Sequence, residues 1–544
     1  MVSKVFKVTV FALIDVISSC SLPKVNLGEI TTYYSNEISA SFQSLSDDVD
    51  FEKIQSELDS LFSTIAENSQ YAYQDQNFVR AFNSFMSDFK GIIDALYVSR
   101  TKYYADSSQD LKVKYYEIYD FYFTLLGQYH DLLENAYHSN YKEVIFGDMD
   151  DAEIQSVIDS YETTEESKEY QLTLDTYSNE AHEIYNTSYK DSDYEDKMYD
   201  LLVKYMKTAK DYASYLNEDY LNYVYKNTYD RNYLARDVSD FFDAVKTNLV
   251  PVVRNYKNKV DSISLNAQEQ RKINYITKYN FRYYEIGMLK PLENYVYSTT
   301  VLSNAYKNLW SDKGLYYYSD SDDSLGTAYT AYIRSKNQPM LFFSKDYQDL
   351  FTFIHEFGHY TSFYCNSGDR SPMDISEIDS QANELLFASY LVENKADLDF
   401  TNNTIDYLEK SKVYEQLSNV AVCSYVAEME SIAYNYDLSD KDGFFRKINE
   451  IYNKYEGIGN KKYWWAPVLT SFGYYISYAT SSVGALQIYI NSKADFSNGM
   501  SQYANFLRKS SYLTTIDDYT NGAGLLKIYS SDAIDYIADY FRSN

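Results

Sequence analysis

His355 and His359 stand four residues apart around Glu356, inside the run Asp349-Leu-Phe-Thr-Phe-Ile-His355-Glu356-Phe-Gly358-His359-Tyr360. The run is apolar and reads as a helix. On a helix, residues four apart lie one above the other on one face, so both imidazoles can aim at one point. That is what a zinc ion takes from a pair of nitrogen ligands. Glu356 sits one position round, within reach of a water at the metal, where it can act as general base. The chain of 544 residues holds only 5 histidines, so two of them meeting by chance in this pattern is improbable.

A catalytic zinc takes three protein ligands and leaves a fourth position open. No histidine follows His359, so the third ligand must be Asp, Glu or Cys. Glu377 and Glu384 are the leading candidates, on a helix expected to start near Asp374 after the turn-rich stretch Cys365 to Pro372. Spacing alone does not choose between them. Zinc would supply a water with its pKa lowered to about 7. The oxyanion that forms when this water attacks a peptide carbonyl needs further donors. Tyr474, Tyr475 and Tyr478 offer hydroxyls, but the chain has 64 tyrosines and spacing does not single these out. His130, Glu134 and His138 also share a helix face and read as partly exposed residues. His182-Glu183 is followed by Asn186, so it makes no second motif.

The elements that must hold these residues read as helices. Proline is absent between Lys24 and Val250, and glycine between Asp148 and Ile286. Helix interiors exclude both residues, and tight hairpins need glycine. Apolar spacings of three and four predict helices over about 36–66, 77–96 and 111–137, a break at 145–151, and further helix to about 244. Two β-prone runs, Ala328 to Ile333 and Pro339 to Phe343, flank the turn Ser335 to Gln338. Ser344 or Asp346 is expected to cap the helix of the zinc motif. A polar cluster at Asp191-Ser192-Asp193 suggests a boundary, giving an N-terminal helical domain over 20–195 and a catalytic domain over 196–544.

Residues 1–19 read as a signal peptide. Lys4 and Lys7 precede the apolar run Val8 to Ile17, which ends in Ile17-Ser-Ser-Cys20. That ending resembles a bacterial lipobox and implies a lipid anchor on Cys20, outside the cytoplasm. Leu22 to about Thr32 reads as a linker. No run approaches the ~18 apolar residues of a membrane span. With 49 Lys+Arg against 79 Asp+Glu, net −30, the chain has no electrostatic reason to bind nucleic acid. Its 3 cysteines do not make a disulfide framework.

Three motifs together resemble the oligoendopeptidase F and thimet oligopeptidase family of zinc metallopeptidases. The first is Gly326-Thr-Ala-Tyr-Thr-Ala-Tyr332 with Gln338-Pro-Met-Leu-Phe-Phe343, leading into the His-Glu-Phe-Gly-His segment. The second is Glu377-Ile-Asp-Ser380-Gln-Ala-Asn-Glu384, similar to the family's Glu-x-x-Ser motif. It implies Glu377 as third ligand, with Glu384 supporting from the same helix face. The third is Tyr474-Tyr-Ile-Ser-Tyr478-Ala-Thr480, which implies that Tyr474 and Tyr478, four apart on one helix face, stabilise the oxyanion or bind substrate. The resemblance covers roughly residues 200 to 544. It implies an all-α, two-lobed ellipsoid with a deep central channel, one zinc ion, and a small β-sheet in the catalytic domain. Met340–Phe343 would be an edge strand able to pair with substrate backbone. The implied substrates are short unstructured peptides, and the protein would be a monomer. Val468 stands where the family carries a histidine before its tyrosine-rich segment. The resulting expectation is a zinc metalloendopeptidase. The alternatives are a zinc aminopeptidase, though no Gly-x-Met-Glu-Asn segment is present, or a catalytically weak surface lipoprotein that binds peptides on the same fold.

Overall fold

Sparse proline and glycine translate into long helices in the computed structural model, which describes residues 37–159, 165–278, 286–368, 371–394, 400–456, 461–463, 465–508 and 515–544. The signal segment, Cys20 and the linker lie outside these residues. By its contacts the chain divides into two compact units: Met1–Glu165 with Lys307–Gln348, and Glu166–Tyr306 with Asp349–Asn544.

The first unit is built on helices α1 (Phe51–Glu67), α2 (Gln76–Ala105) and α3 (Gln109–Tyr137). Asp50 and Asp75 start α1 and α2 by accepting backbone N–H groups of the first turn. The helix expected over 36–66 is interrupted, because Ser46 takes the N–H of Asp48 before Asp50 restarts the helix. Strands β1 (Glu37–Ile38), β2 (Leu315–Tyr318), β3 (Ala328–Ile333) and β4 (Gln338–Phe343) form one sheet in the order β1-β2-β4-β3. The β3–β4 hairpin is the one expected, with Asn337 at φ 51° in its turn. Two expectations change. β4 is interior, since Leu315–Tyr318 pairs in parallel with Met340–Phe343, so the open edge on that side is β3. And the sheet shares its core with the N-terminal helices: Leu315, Tyr329, Ile333 and Phe342 pack in the same cluster as Leu58, Phe89 and Tyr129. It therefore belongs to the first unit, not to the unit of His355 and His359.

The second unit is helical among its described residues. It includes α4 (Tyr194–Leu216), α5 (Leu350–Asn366), α6 (Met373–Glu393), α7 (Asn402–Asn435) and α8 (Ile476–Ala494). Asp191 to Asp193 is only the loop between α4 and the helix ending at Ser188, and the contacts divide the chain earlier, between Glu165 and Glu166. α6 is central: it packs on α5, α7 and α8. It buries Asp374, Glu377, Gln381, Asn383 and Glu384 along with its apolar residues. Buried polar groups need partners, and those partners make the site. No described helix is long and apolar enough to cross a membrane.

Candidate active site

Helix α5 starts at Asp349, whose Oδ1 accepts the N–H groups of Phe351 and Thr352 at 3.0 and 3.1 Å. Neither Ser344 nor Asp346 is its cap; Ser344 precedes a separate short turn, Lys345–Tyr347. Gly358 lets α5 meet α6. A Cβ at this position would lie 2.4 Å from the carbonyl oxygen of Asp379. Beside this contact, Asn383 Nδ2 donates to the Ile354 carbonyl at 2.7 Å. The close approach brings Glu377 to the two histidines. Its Oε2 is 3.6 Å from His355 Nε2 and 3.6 Å from His359 Nε2. One donor atom from each of the three side chains lies within 4.8 Å of the others. Two imidazoles and one carboxylate are the donor set of a catalytic zinc with an open position, so the residues fit that ion.

The surroundings fix both geometry and charge. His355 Nδ1–H donates to Glu384 Oε1 at 2.8 Å, which leaves Nε2 free to act as a ligand. Lys412 Nζ on α7 donates to Glu384 Oε2 at 2.6 Å, and Ser380 Oγ donates to Glu377 Oε2 at 3.0 Å. Burial opposes charge on His355, but the hydrogen bond and charge of Glu384, with Glu377 and Glu356 adding, push it up to about 9. His359 rises against burial for the same reason, through Glu377 and Glu356. Burial likewise works against ionised Glu384, and the charge of Lys412 and the contact with His355 outweigh it and hold the carboxyl well below its usual range. The carboxylates thus outnumber the fixed cations and favour positive charge at the point between the imidazoles.

Tyr474 and Tyr478 are both buried, and the Tyr474 hydroxyl donates to the Tyr478 hydroxyl at 3.1 Å. They do not share a helix as expected. Tyr474 lies in the turn that precedes α8, after Gly473 at φ 78°. A Cβ on Gly473 would also come within 2.8 Å of Val224. The turn is clamped by Arg231: Nε donates to Asp374 Oδ2 at 2.9 Å, Nη1 to the Gly473 carbonyl at 2.8 Å, and Nη2 to Ser477 Oγ at 2.5 Å. Thr480 and Tyr233 complete the shell of Asp374, at 2.8 and 2.5 Å. Two α6 turns further on, Gln381 accepts from Ser481 and Ser482 of α8. The segment carrying the tyrosines is therefore stitched to the helix carrying Glu377. Lys412, Arg231 and Asp374 were not singled out from the sequence. Arg231 and Asp374 are 143 residues apart, and no local pattern marks either.

No family model and no curated sequence matches the chain. Solved structures do match over nearly its whole length. A crystal structure provisionally named oligoendopeptidase F has a TM-score of 0.66 at 13% identity, covering 93% of this chain and 98% of that one. An inhibitor complex of PZ peptidase A has a TM-score of 0.64 at 13% identity, over 92% and 99%. Metallocarboxypeptidase 1 of Trypanosoma cruzi has a TM-score of 0.56 at 13% identity, over 84% and 99%. At these identities the likeness is one of fold.

Proposed function

We propose that the protein is a zinc-dependent metalloendopeptidase acting on short unstructured oligopeptides. The convergence of His355, His359 and Glu377, with Glu384 behind His355, carries this reading. Zinc held by these side chains would supply Lewis acidity and a water acidic enough to react near neutral pH. Glu356, buried beside His355, takes the proton of the attacking water and passes it to the leaving amine as the peptide C–N bond breaks. Tyr474 and Tyr478, joined through their hydroxyls at 3.1 Å, would offer an O–H to the developing oxyanion. Val468 is buried and apolar, so oxyanion donation falls to the tyrosines.

The deciding variant is Glu356→Gln. It should keep stoichiometric zinc and lose roughly 10²- to 10⁴-fold in cleavage of a fluorogenic peptide; an undiminished rate sinks the mechanism. The fold shared with a metallocarboxypeptidase favours an exopeptidase as second reading, alongside the aminopeptidase suggested by the His359–Glu377 spacing. Internal cleavage of a peptide blocked at both ends decides for the endopeptidase. Stoichiometric zinc with no turnover on any peptide library would leave a peptide-binding protein. The lipobox-like Ile17 to Cys20 supports anchoring outside the cytoplasm. On that reading Cys20→Ser moves the protein from the membrane fraction to the soluble one.

A further inference from the structure

Arg100, on α2 in the first unit, is only 2% exposed. Its guanidinium carbon lies 4.2 Å from the ring centre of Tyr329, 5.2 Å from Tyr97 and 5.9 Å from Tyr104. Among the described residues its Nε and Nη2 have no hydrogen-bond partner. Those two N–H groups point in parallel from one edge of the guanidinium, the edge that grips an anion side-on. The acids nearby in the chain are committed elsewhere. Asp94 accepts the N–H groups of Arg334 and Ser335, each at 2.7 Å, and so caps the β3–β4 turn. Asp47 holds Lys102 at 2.7 Å and Lys114 at 3.1 Å. Asp106 is exposed and accepts from the Ser108 N–H at 3.2 Å.

An arginine does not shed its proton in a protein. Aromatic faces attract the cation but carry no countercharge. A water could satisfy the two N–H groups but would leave the buried charge uncompensated, which is costly. Orphaned buried donors of this kind call for an ion or a water, and here the charge selects the ion. We propose that the Nε–Nη2 edge of Arg100 binds a small monovalent anion of the chloride class within the core of the first unit. One positive charge calls for one negative charge, and a residue only 2% exposed gives a large organic anion no access. The site joins α2 to the sheet, since Tyr329 belongs to β3 and its hydroxyl is bonded to Thr101 Oγ1 at 2.6 Å. The proposal is independent of the peptidase reading.

The test is thermal unfolding of the full chain at fixed pH and ionic strength, in sodium chloride against sodium gluconate, with crystals soaked in sodium bromide. Chloride should give a saturable rise of about 2 to 4 °C over gluconate, and Arg100→Met should abolish it. An anomalous bromide peak should lie within hydrogen-bond reach of Nε and Nη2. Coincident melting curves in the two salts, a rise that Arg100→Met retains, or a map with only water at the guanidinium edge would each overturn the proposal. Should Arg100→Met not fold, Arg100→Gln serves in its place, and the bromide map reads the site in the unmodified protein.

Discussion

Arg100 and Arg231 are both buried against tyrosine rings, and they are treated in opposite ways. Arg231 lies 4.5 Å from the ring centre of Tyr225 and 4.6 Å from that of Tyr229, and every edge of its guanidinium also meets an oxygen of Asp374, Gly473 or Ser477. Arg100 has the rings and, among the described residues, lacks the carboxylate. Tyrosine can therefore house a cation in this protein without neutralising it. Where three segments must be locked together, beside Glu377, the chain adds its own carboxylate. In the first unit, where α2 meets β3, it leaves the charge to be met from solution.

The contrast predicts different costs for the same substitution. Arg231→Met leaves Asp374 buried without its cation and should cost about 3–5 kcal/mol in denaturant unfolding; a smaller loss would mean that Tyr233, Ser477 and Thr480 suffice for Asp374. Lys412→Met removes the cation that holds Glu384 ionised against His355. It should weaken zinc binding about 10- to 100-fold in competition with a chelator, with a smaller effect on unfolding. The smallest change is expected from Arg100→Met in gluconate, where deleting an uncompensated charge should leave stability unchanged or raise it. A large loss there would show that the tyrosine rings alone balance Arg100.

Features set by neighbours in the chain were legible in the sequence. The His355–Glu356–His359 geometry follows from one helix, and the β3–β4 hairpin from alternating runs around a turn. The convergence of Glu377 on the two histidines needed a family motif, because Glu384 lies on the same face and spacing does not say which carboxylate meets both imidazoles. Features made by distant pairing were not legible. Leu315-Tyr-Tyr-Tyr318 has no polar alternation to mark it as β2, and its parallel pairing is what turns β4 from an edge into an interior strand. The allotment of the sheet to the first unit depends on Tyr329 and Phe342 packing with helices more than two hundred residues earlier. The stretch from Tyr474 to Tyr478 reads as the opening of an apolar helix, yet Gly473 at φ 78° keeps Tyr474 in the turn before it.

Helix α6 carries Asp374, Glu377, Gln381 and Glu384 at steps of three and four, and each is tied to a different group: Arg231, the two imidazoles, the α8 serines, and the His355–Lys412 pair. A helix turns by about 100° per residue. One residue gained or lost inside α6 would therefore swing the later attachments away while the earlier ones stayed in place. This helix can diverge only by exchanging side chains at fixed length, and changes in chain length must fall in the segments on either side of it.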